Sequence, residues 1–154
     1  MVVLYEDSRQ QRGKHENIHR YCDQAGIRII RQALNVGDYQ IAGKGDVSVD
    51  TKQGVMELAS NVFQEHDRFR AECERAHECG IQLIVLVEEE LPGGRLDRWQ
   101  PPLDRNGQPM AKFDPATLRK ALITMQQKYG VKFRFCCGDQ TGERMMEYLR
   151  KERK

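Results

Sequence analysis

No apolar run in this 154-residue chain approaches the roughly 20 residues that cross a bilayer, which excludes a helical membrane protein. Charge of one sign is missing too. Lys and Arg number 25 against 23 Asp and Glu, and a formal net charge of +2 gives no global attraction to nucleic acid. Any such affinity must come from local patches. Cysteines are few and odd in number, five, with no Cys-x-x-Cys pair. No leader is visible, since Met1–Tyr5 runs straight into charge, so reduced thiols and a cytoplasmic location are expected. His66, Cys73, His77 and Cys79 do not make a zinc site, because His77 and Cys79 stand two apart on a helix and point in different directions. Gly43-Lys44-Gly45 lacks the spacing and following helix of a phosphate loop, and no repeat or low-complexity segment is found.

What remains is a soluble, globular composition, 39% apolar and 31% charged, fitting one domain over residues 1–154. Val2–Tyr5 reads as a buried strand ending at Glu6-Asp7. His15–Ala25 reads as a helix with Ile18 and Cys22 inward, and Ile27–Ile30 as a second strand. Gly54–Phe63 and Asp67–Cys79 have helical periodicity. On the second, Phe69, Cys73 and Ala76 form a thin apolar stripe, while Arg68 to Glu72 and Arg70 to Glu74 have ion-pair spacing on a solvated face. Ile81–Val87 is continuous enough to be a strand covered on both sides. Asp114-Pro115 opens a helix that buries Leu118, Leu122 and Met125 and stops at Gly130. Val131–Cys136 is a last strand, and Thr141–Arg150 a last helix with Met145, Tyr148 and Leu149 inward. That order suits an α/β fold of three layers, a central mixed sheet flanked by helices.

Chemistry concentrates between residues 35 and 58. Val36–Ala42 and Asp46–Lys52 read as strands around a three-residue turn, Gly43-Lys44-Gly45, which pairs Ala42 with Asp46, Gln40 with Ser48 and Asp38 with Asp50. One face then collects Tyr39, Ile41, Val47, Val49 and Thr51 for the core. On the other, two carboxylates oppose each other at about 5 Å between Cβ atoms, which is destabilising without a counter-charge. A hard divalent cation would supply one, with Lys52 a pleat further on to touch a phosphate or water. A merely charged, solvated hairpin face is the alternative.

The segment Glu88–Phe113 is long, irregular and rich in Pro and Gly. Arg95, Arg98, Trp99 and Arg105 suit a loop that touches DNA, but a flexible insertion with Trp99 tucked against the domain fits equally.

An aspartate on one strand followed by Asp-x-Lys on the next resembles the PD-(D/E)xK nuclease pattern. The flanks narrow the resemblance to the XPF-type structure-specific endonuclease domain. Glu6-Asp7-Ser8-Arg9-Gln10 is similar to the family's first motif, and Gly37-Asp38-Tyr39 to its Gly-Asp-Tyr strand. Asp50-Thr51-Lys52 stands for its Glu-Arg-Lys, Glu57 lies one position later than its aspartate, and His66-Asp67-Arg68-Phe69 is similar to its Gly-Arg segment. Asp50 is a methylene shorter than the usual glutamate, and Thr51 replaces an arginine.

The resemblance covers roughly Val2–Leu149, apart from residues 88–113. It implies a restriction-endonuclease-like core and Mg²⁺- or Mn²⁺-dependent hydrolysis of phosphodiester bonds in branched or flapped DNA during repair or recombination. Asp38 and Asp50, with the Thr51 carbonyl, would hold the metal. Lys52 would steady the reacting phosphate, and Asp7 and Glu57 would complete the catalytic set. Arg9, Arg12 and Arg68, with Arg95 and Arg98, are the expected DNA contacts. A homodimer without a helix-hairpin-helix module is expected. A catalytically silent DNA-binding or scaffolding subunit and a general PD-(D/E)xK nuclease remain as alternatives.

Overall fold

Alternate side chains of one apolar strand enter two different cores. Leu83, Val85 and Val87 pack on one side of the sheet, and Ile84 and Leu86 on the other. Each fully buried aliphatic chain of this kind contributes about 1.5–3 kcal/mol. The computed structural model describes residues 1–11 and 13–151, so the expected DNA contact of Arg12 and the last three tail residues lie outside the described residues.

Among the described residues the strands are β1 (Val3–Asp7), β2 (Arg28–Gln32), β3 (Tyr39–Ile41), β4 (Lys44–Lys52), β5 (Gln82–Val87) and β6 (Lys132–Phe135). The α-helices are α1 (Glu16–Ala25), α2 (Val55–Phe63), α3 (His66–Glu78), α4 (Pro115–Tyr129) and α5 (Thr141–Arg150). The sheet order is β2-β1-β3-β4-β5-β6. β1 runs parallel to β2, β3 is antiparallel to both β1 and β4, and β4, β5 and β6 are parallel. One face is covered by α2, α3 and α4 around Leu58, Phe69, Leu118 and Phe133, and the other by α1 and α5 around Leu4, Ile18, Tyr39 and Met145. This is the expected three-layer core. The α4 limits follow the sequence signals: the Asp114 carboxylate accepts the Ala116 N–H at 3.0 Å, and Gly130 ends the helix.

The central hairpin departs from expectation in three ways. Its turn is Ala42-Gly43, not Gly43-Lys44-Gly45, because Ile41 pairs with Lys44. Gly43 takes a φ of +81°, open to glycine, and the strand resumes at once. The pairings of Gln40 with Ser48 and Ala42 with Asp46 are therefore lost. A bulge absorbs the mismatch, so Tyr39 still faces Val49 and the Asp38–Asp50 neighbourhood survives. Third, Val36–Asp38 is a bend, not strand, and the polar side chains of β4 are not solvated: Ser48, Asp50 and Lys52 are all buried.

The long segment after β5 is packed down. Leu91, Leu96 and Trp99 are buried in the core beside α4, and the Trp99 ring stacks on Phe113 at 5.7 Å and 7°. Glu89 ties this segment to α2. One carboxylate oxygen accepts the Val55 N–H at 2.9 Å and the other the Trp99 indole N–H at 2.5 Å.

Candidate active site

β4 delivers Asp50 and Lys52 to the side of the sheet where α2 and α3 pack, and the bend before β3 delivers Asp38. They open into a cleft of about 690 Å³, also bordered by Asp7, Arg9, Lys14, Glu57, Arg68 and Glu72. The bend is fixed through its main chain. Asp38 N–H donates to Val49 O at 2.8 Å, and Asp38 O accepts from Asp7 N–H at 2.8 Å and Gln10 Nε2 at 3.3 Å. Asp7, buried at the end of β1, accepts the Leu34 N–H at 3.0 Å and Arg9 Nε at 3.1 Å. The Arg9 guanidinium also donates through an Nη to Leu34 O, so its head is tethered on one side although the side chain is two-thirds exposed. Asp7 thus braces the bend while bordering the cleft.

Gly37 makes the bend possible. It has φ +73°, and a Cβ there would stand 2.3 Å from Ser48 Oγ, which cannot swing away because it donates to Val36 O at 2.6 Å. Gly37→Ala should therefore cost at least about 1 kcal/mol in urea unfolding, through both φ and the clash. Adding Ser48→Gly should recover only the clash. Full recovery would show that φ is immaterial, and no loss in the single variant would sink the account.

Asp50 is buried and Asp38 half-buried. The Asp38 carboxyl has its pKa pushed well up, by burial first and then by the Asp50 charge beside it, although Asp38 Oδ2 accepts Thr51 N–H and Thr51 O–H at 2.9 Å each. Lys52 Nζ lies 3.0 Å from Asp50 Oδ2, an ion pair without hydrogen-bond alignment, which leaves that buried oxygen without a hydrogen-bond partner. Burial pulls the Lys52 pKa down, but Asp50, Asp38 and Glu57 outweigh it and hold it above its ordinary value. The ammonium donates to Asn61 Oδ1 at 3.1 Å and sits 5.6 Å above the Phe69 ring centre. Glu57 is partly engaged as a helix cap: its Oε2 accepts the Gln53 N–H at 2.7 Å, with Lys14 Nζ 3.8 Å from Oε1.

Three participants escaped the sequence. Glu72 does not pair with Arg68. It turns into the cleft, where burial and the Asp50 charge push its pKa up to about 7. The signal was present: residues 69, 72, 73 and 76 follow i, i+3, i+4, i+7, so Glu72 belongs to the inward stripe. Arg70–Glu74 does form, at 3.7 Å. Asn61 left no signal, nor did His15, a buried ring whose pKa is lowered to about 4 by burial first and then by Lys14. Arg68 borders the cleft and makes no ion pair with the described residues. Arg95 is exposed and paired with Asp97 at 2.7 Å, and neither it, Arg98 nor Arg105 lines the cleft.

A mixed six-stranded sheet between two helical layers is the fold of an XPF-type nuclease domain. The chain belongs to the ERCC4 domain family, which it matches over residues 7–149. Its fold is similar to that of XPF from Aeropyrum pernix, with a TM-score of 0.67 and 19% identity over 96% of this chain and 63% of that one. The structure of XPF from Aeropyrum pernix in complex with DNA gives 0.68 and 18% over 97% of this chain and 64% of that one. The chain thus spans less than two thirds of the length of either. Comparison with curated proteins gives no match. No helix among the described residues is long and apolar enough to cross a membrane.

Proposed function

We propose that this chain is a Mg²⁺- or Mn²⁺-dependent endonuclease that hydrolyses phosphodiester bonds in DNA and prefers branched or flapped substrates. The observation that carries the reading is the convergence of Asp38 and Asp50 beside Lys52 in a cleft rimmed by Arg9, Lys14 and Arg68. Family membership, and the DNA-bound state of a fold neighbour, support it.

The donors suit a hard cation, being oxygen only. Asp50 Oδ2 has no hydrogen-bond partner, and burial and the charge of Asp50 push the Asp38 pKa up, so both would gain from added positive charge. Among the described residues no group of three His, Cys, Asp or Glu is placed to hold a metal, so the Thr51 carbonyl would join the two carboxylates. A cation held there would supply Lewis-acid charge to a phosphate oxygen and make water more acidic. Lys52, locked by Asn61 and Phe69, places its ammonium where negative charge grows on the reacting phosphate, and spends no reorganisation to do so. Arg9, Lys14 and Arg68 seat the neighbouring phosphates.

The test is incubation with flap, fork, four-way junction and plain duplex DNA, with and without Mg²⁺. Metal-dependent cutting of the branched substrates is expected. Equal cutting of all four would demote the reading to a general nuclease, and binding without cutting in Mg²⁺ or Mn²⁺ would favour a silent scaffolding subunit. Replacing Arg9, Lys14 and Arg68 by Ala should flatten the salt dependence of DNA binding by up to about 0.9 log units per lost phosphate contact. The same change at Arg95, Arg98 and Arg105 should leave the slope alone.

A further inference from the structure

We infer that His15 is a positioning residue of this site, acting on Asp38 through the hydroxyl of Thr51; the inference rests on the metal-site reading above. His15 precedes α1 and is 3% exposed, with its ring edge-on to Tyr39 at 5.7 Å and 75°. Its Nε2 lies 3.4 Å from Thr51 Oγ1, while its Nδ1 is buried without a partner. Thr51 Oγ1 in turn stands 2.9 Å from Asp38 Oδ2.

A hydroxyl has one proton to give. Asp38 Oδ2 already accepts the Thr51 N–H at 2.9 Å, so it is the accepting oxygen of that carboxyl; the Thr51 hydroxyl proton goes to it as well, and towards His15 the hydroxyl presents only lone pairs. The ring must then carry its hydrogen on Nε2. That tautomer leaves Nδ1 as a bare acceptor. The opposite one would bury an unsatisfied N–H and set two lone pairs against each other at 3.4 Å.

The result is a one-way chain, His15 Nε2–H to Thr51 O–H to Asp38 Oδ2. It fixes the rotor of Thr51, which would otherwise be free to turn its proton elsewhere. Asp38 Oδ2 is thereby held by two donors from one residue, and Oδ1 is left to face a cation. No atom of His15 touches the reacting groups. Its effect is on how well Asp38 is aimed.

His15→Phe keeps the ring volume and the Tyr39 contact but deletes both nitrogens. It should weaken Mn²⁺ binding, measured by calorimetry without DNA, by about 10-fold, the range found when a partner of a metal ligand is removed. Binding of DNA in EDTA should not change. His15→Gln, which can offer an N–H to Thr51, should recover most of the loss. Thr51→Val should weaken Mn²⁺ as much as or more than His15→Phe, and the double variant should be no worse than Thr51→Val alone. Ring ¹⁵N shifts of the unmodified protein should report hydrogen on Nε2.

Unchanged Mn²⁺ affinity in His15→Phe, additive losses in the double variant, or hydrogen on Nδ1 would each overturn the positioning role. If His15→Phe failed to fold, Thr51→Val and the ring shifts would still decide it. Failure of the nuclease proposal looks different: Mn²⁺ would bind, be lost in Asp50→Asn and respond to His15→Phe, yet no DNA would be cut. A protein that bound no Mn²⁺ or Mg²⁺ would end both.

Discussion

Asp50→Asn is expected to lower the cleavage rate by more than about 100-fold, since losing a group that merely supports a metal ligand already costs 10–100-fold. The fold should not suffer. Without metal, Asp38 is protonated more readily in the native state than in the unfolded chain, because of burial and the charge of Asp50. The native state then binds more protons, so stability falls as pH rises from the ordinary carboxylate range to the raised native value. Removing the Asp50 charge shortens that window and also eases the strain on Glu72, whose pKa of about 7 owes part of its rise to Asp50. Lys52 loses its 3.0 Å partner but keeps Asp38 and Glu57 close enough to favour its charge. In EDTA the variant should therefore melt no lower than the unmodified protein, with a shallower decline from the ordinary carboxylate range up to about pH 7. Mg²⁺ should raise the Tm of the unmodified protein and leave the variant unmoved, because only a native state that binds the ion is stabilised by it. Normal cleavage by Asp50→Asn, or an equal Mg²⁺ response, would remove Asp50 from the site.

Glu6→Ala should give the largest stability loss of any single substitution considered, at least about 2 kcal/mol, because it leaves the buried Tyr39 hydroxyl without its acceptor and strips a charged hydrogen bond from the part-exposed Arg31. Glu6 is 1% exposed and accepts Tyr39 O–H at 2.6 Å, Arg31 at 2.5 Å and His19 Nε2 at 2.5 Å. Burial pushes its pKa up, but Tyr39, His19 and Arg31 together push harder, and the net shift is downward. A carboxylate with a lowered native pKa contributes stability above its unfolded pKa and loses it as pH falls through the native one. The unmodified protein should thus lose stability on acidification below about pH 4.5, and Glu6→Ala should flatten that limb. Glu6→Gln keeps an acceptor for Tyr39 and should fall between. Urea unfolding across the pH range measures all three. A loss under about 1 kcal/mol in Glu6→Ala would mean that Arg31 and Tyr39 find water instead. Because Tyr39 follows Asp38 and borders His15, the same variant should also weaken metal binding.

What was legible in the sequence was what local chemistry dictates. Asp114-Pro115 and Gly130 bound a helix by capping alone, and the unbroken run at 81–87 announced a strand buried on both faces. Asp38 and Asp50 were placed together by alternation, and the pairing of Tyr39 with Val49 agrees, although the turn beyond it differs. Hairpin register near the turn was not legible, because two glycines offered two turns and the bulge that reconciles them depends on what packs around β4. Glu72 was misassigned since helical spacing makes an attractive ion pair with Arg68, whereas the tertiary cleft draws the carboxylate inward. His15 carries no pattern at all. Its partners, Tyr39 on β3 and Thr51 on β4, come to it only through the tertiary fold.

Glu89 has a wider consequence. Its two oxygens clasp the first turn of α2 and the indole of Trp99 at once. The helix that carries Asn61, and through it steadies Lys52, is therefore moored to a segment whose only regular pieces, among the described residues, are two single 3-10 turns at Pro92–Gly94 and Leu96–Arg98. Tilting α2 would mean drawing a stacked indole out of the core. The irregular stretch after β5 works as a strut, and the rigidity of the lysine is borrowed from a tryptophan on the far side of the helix end.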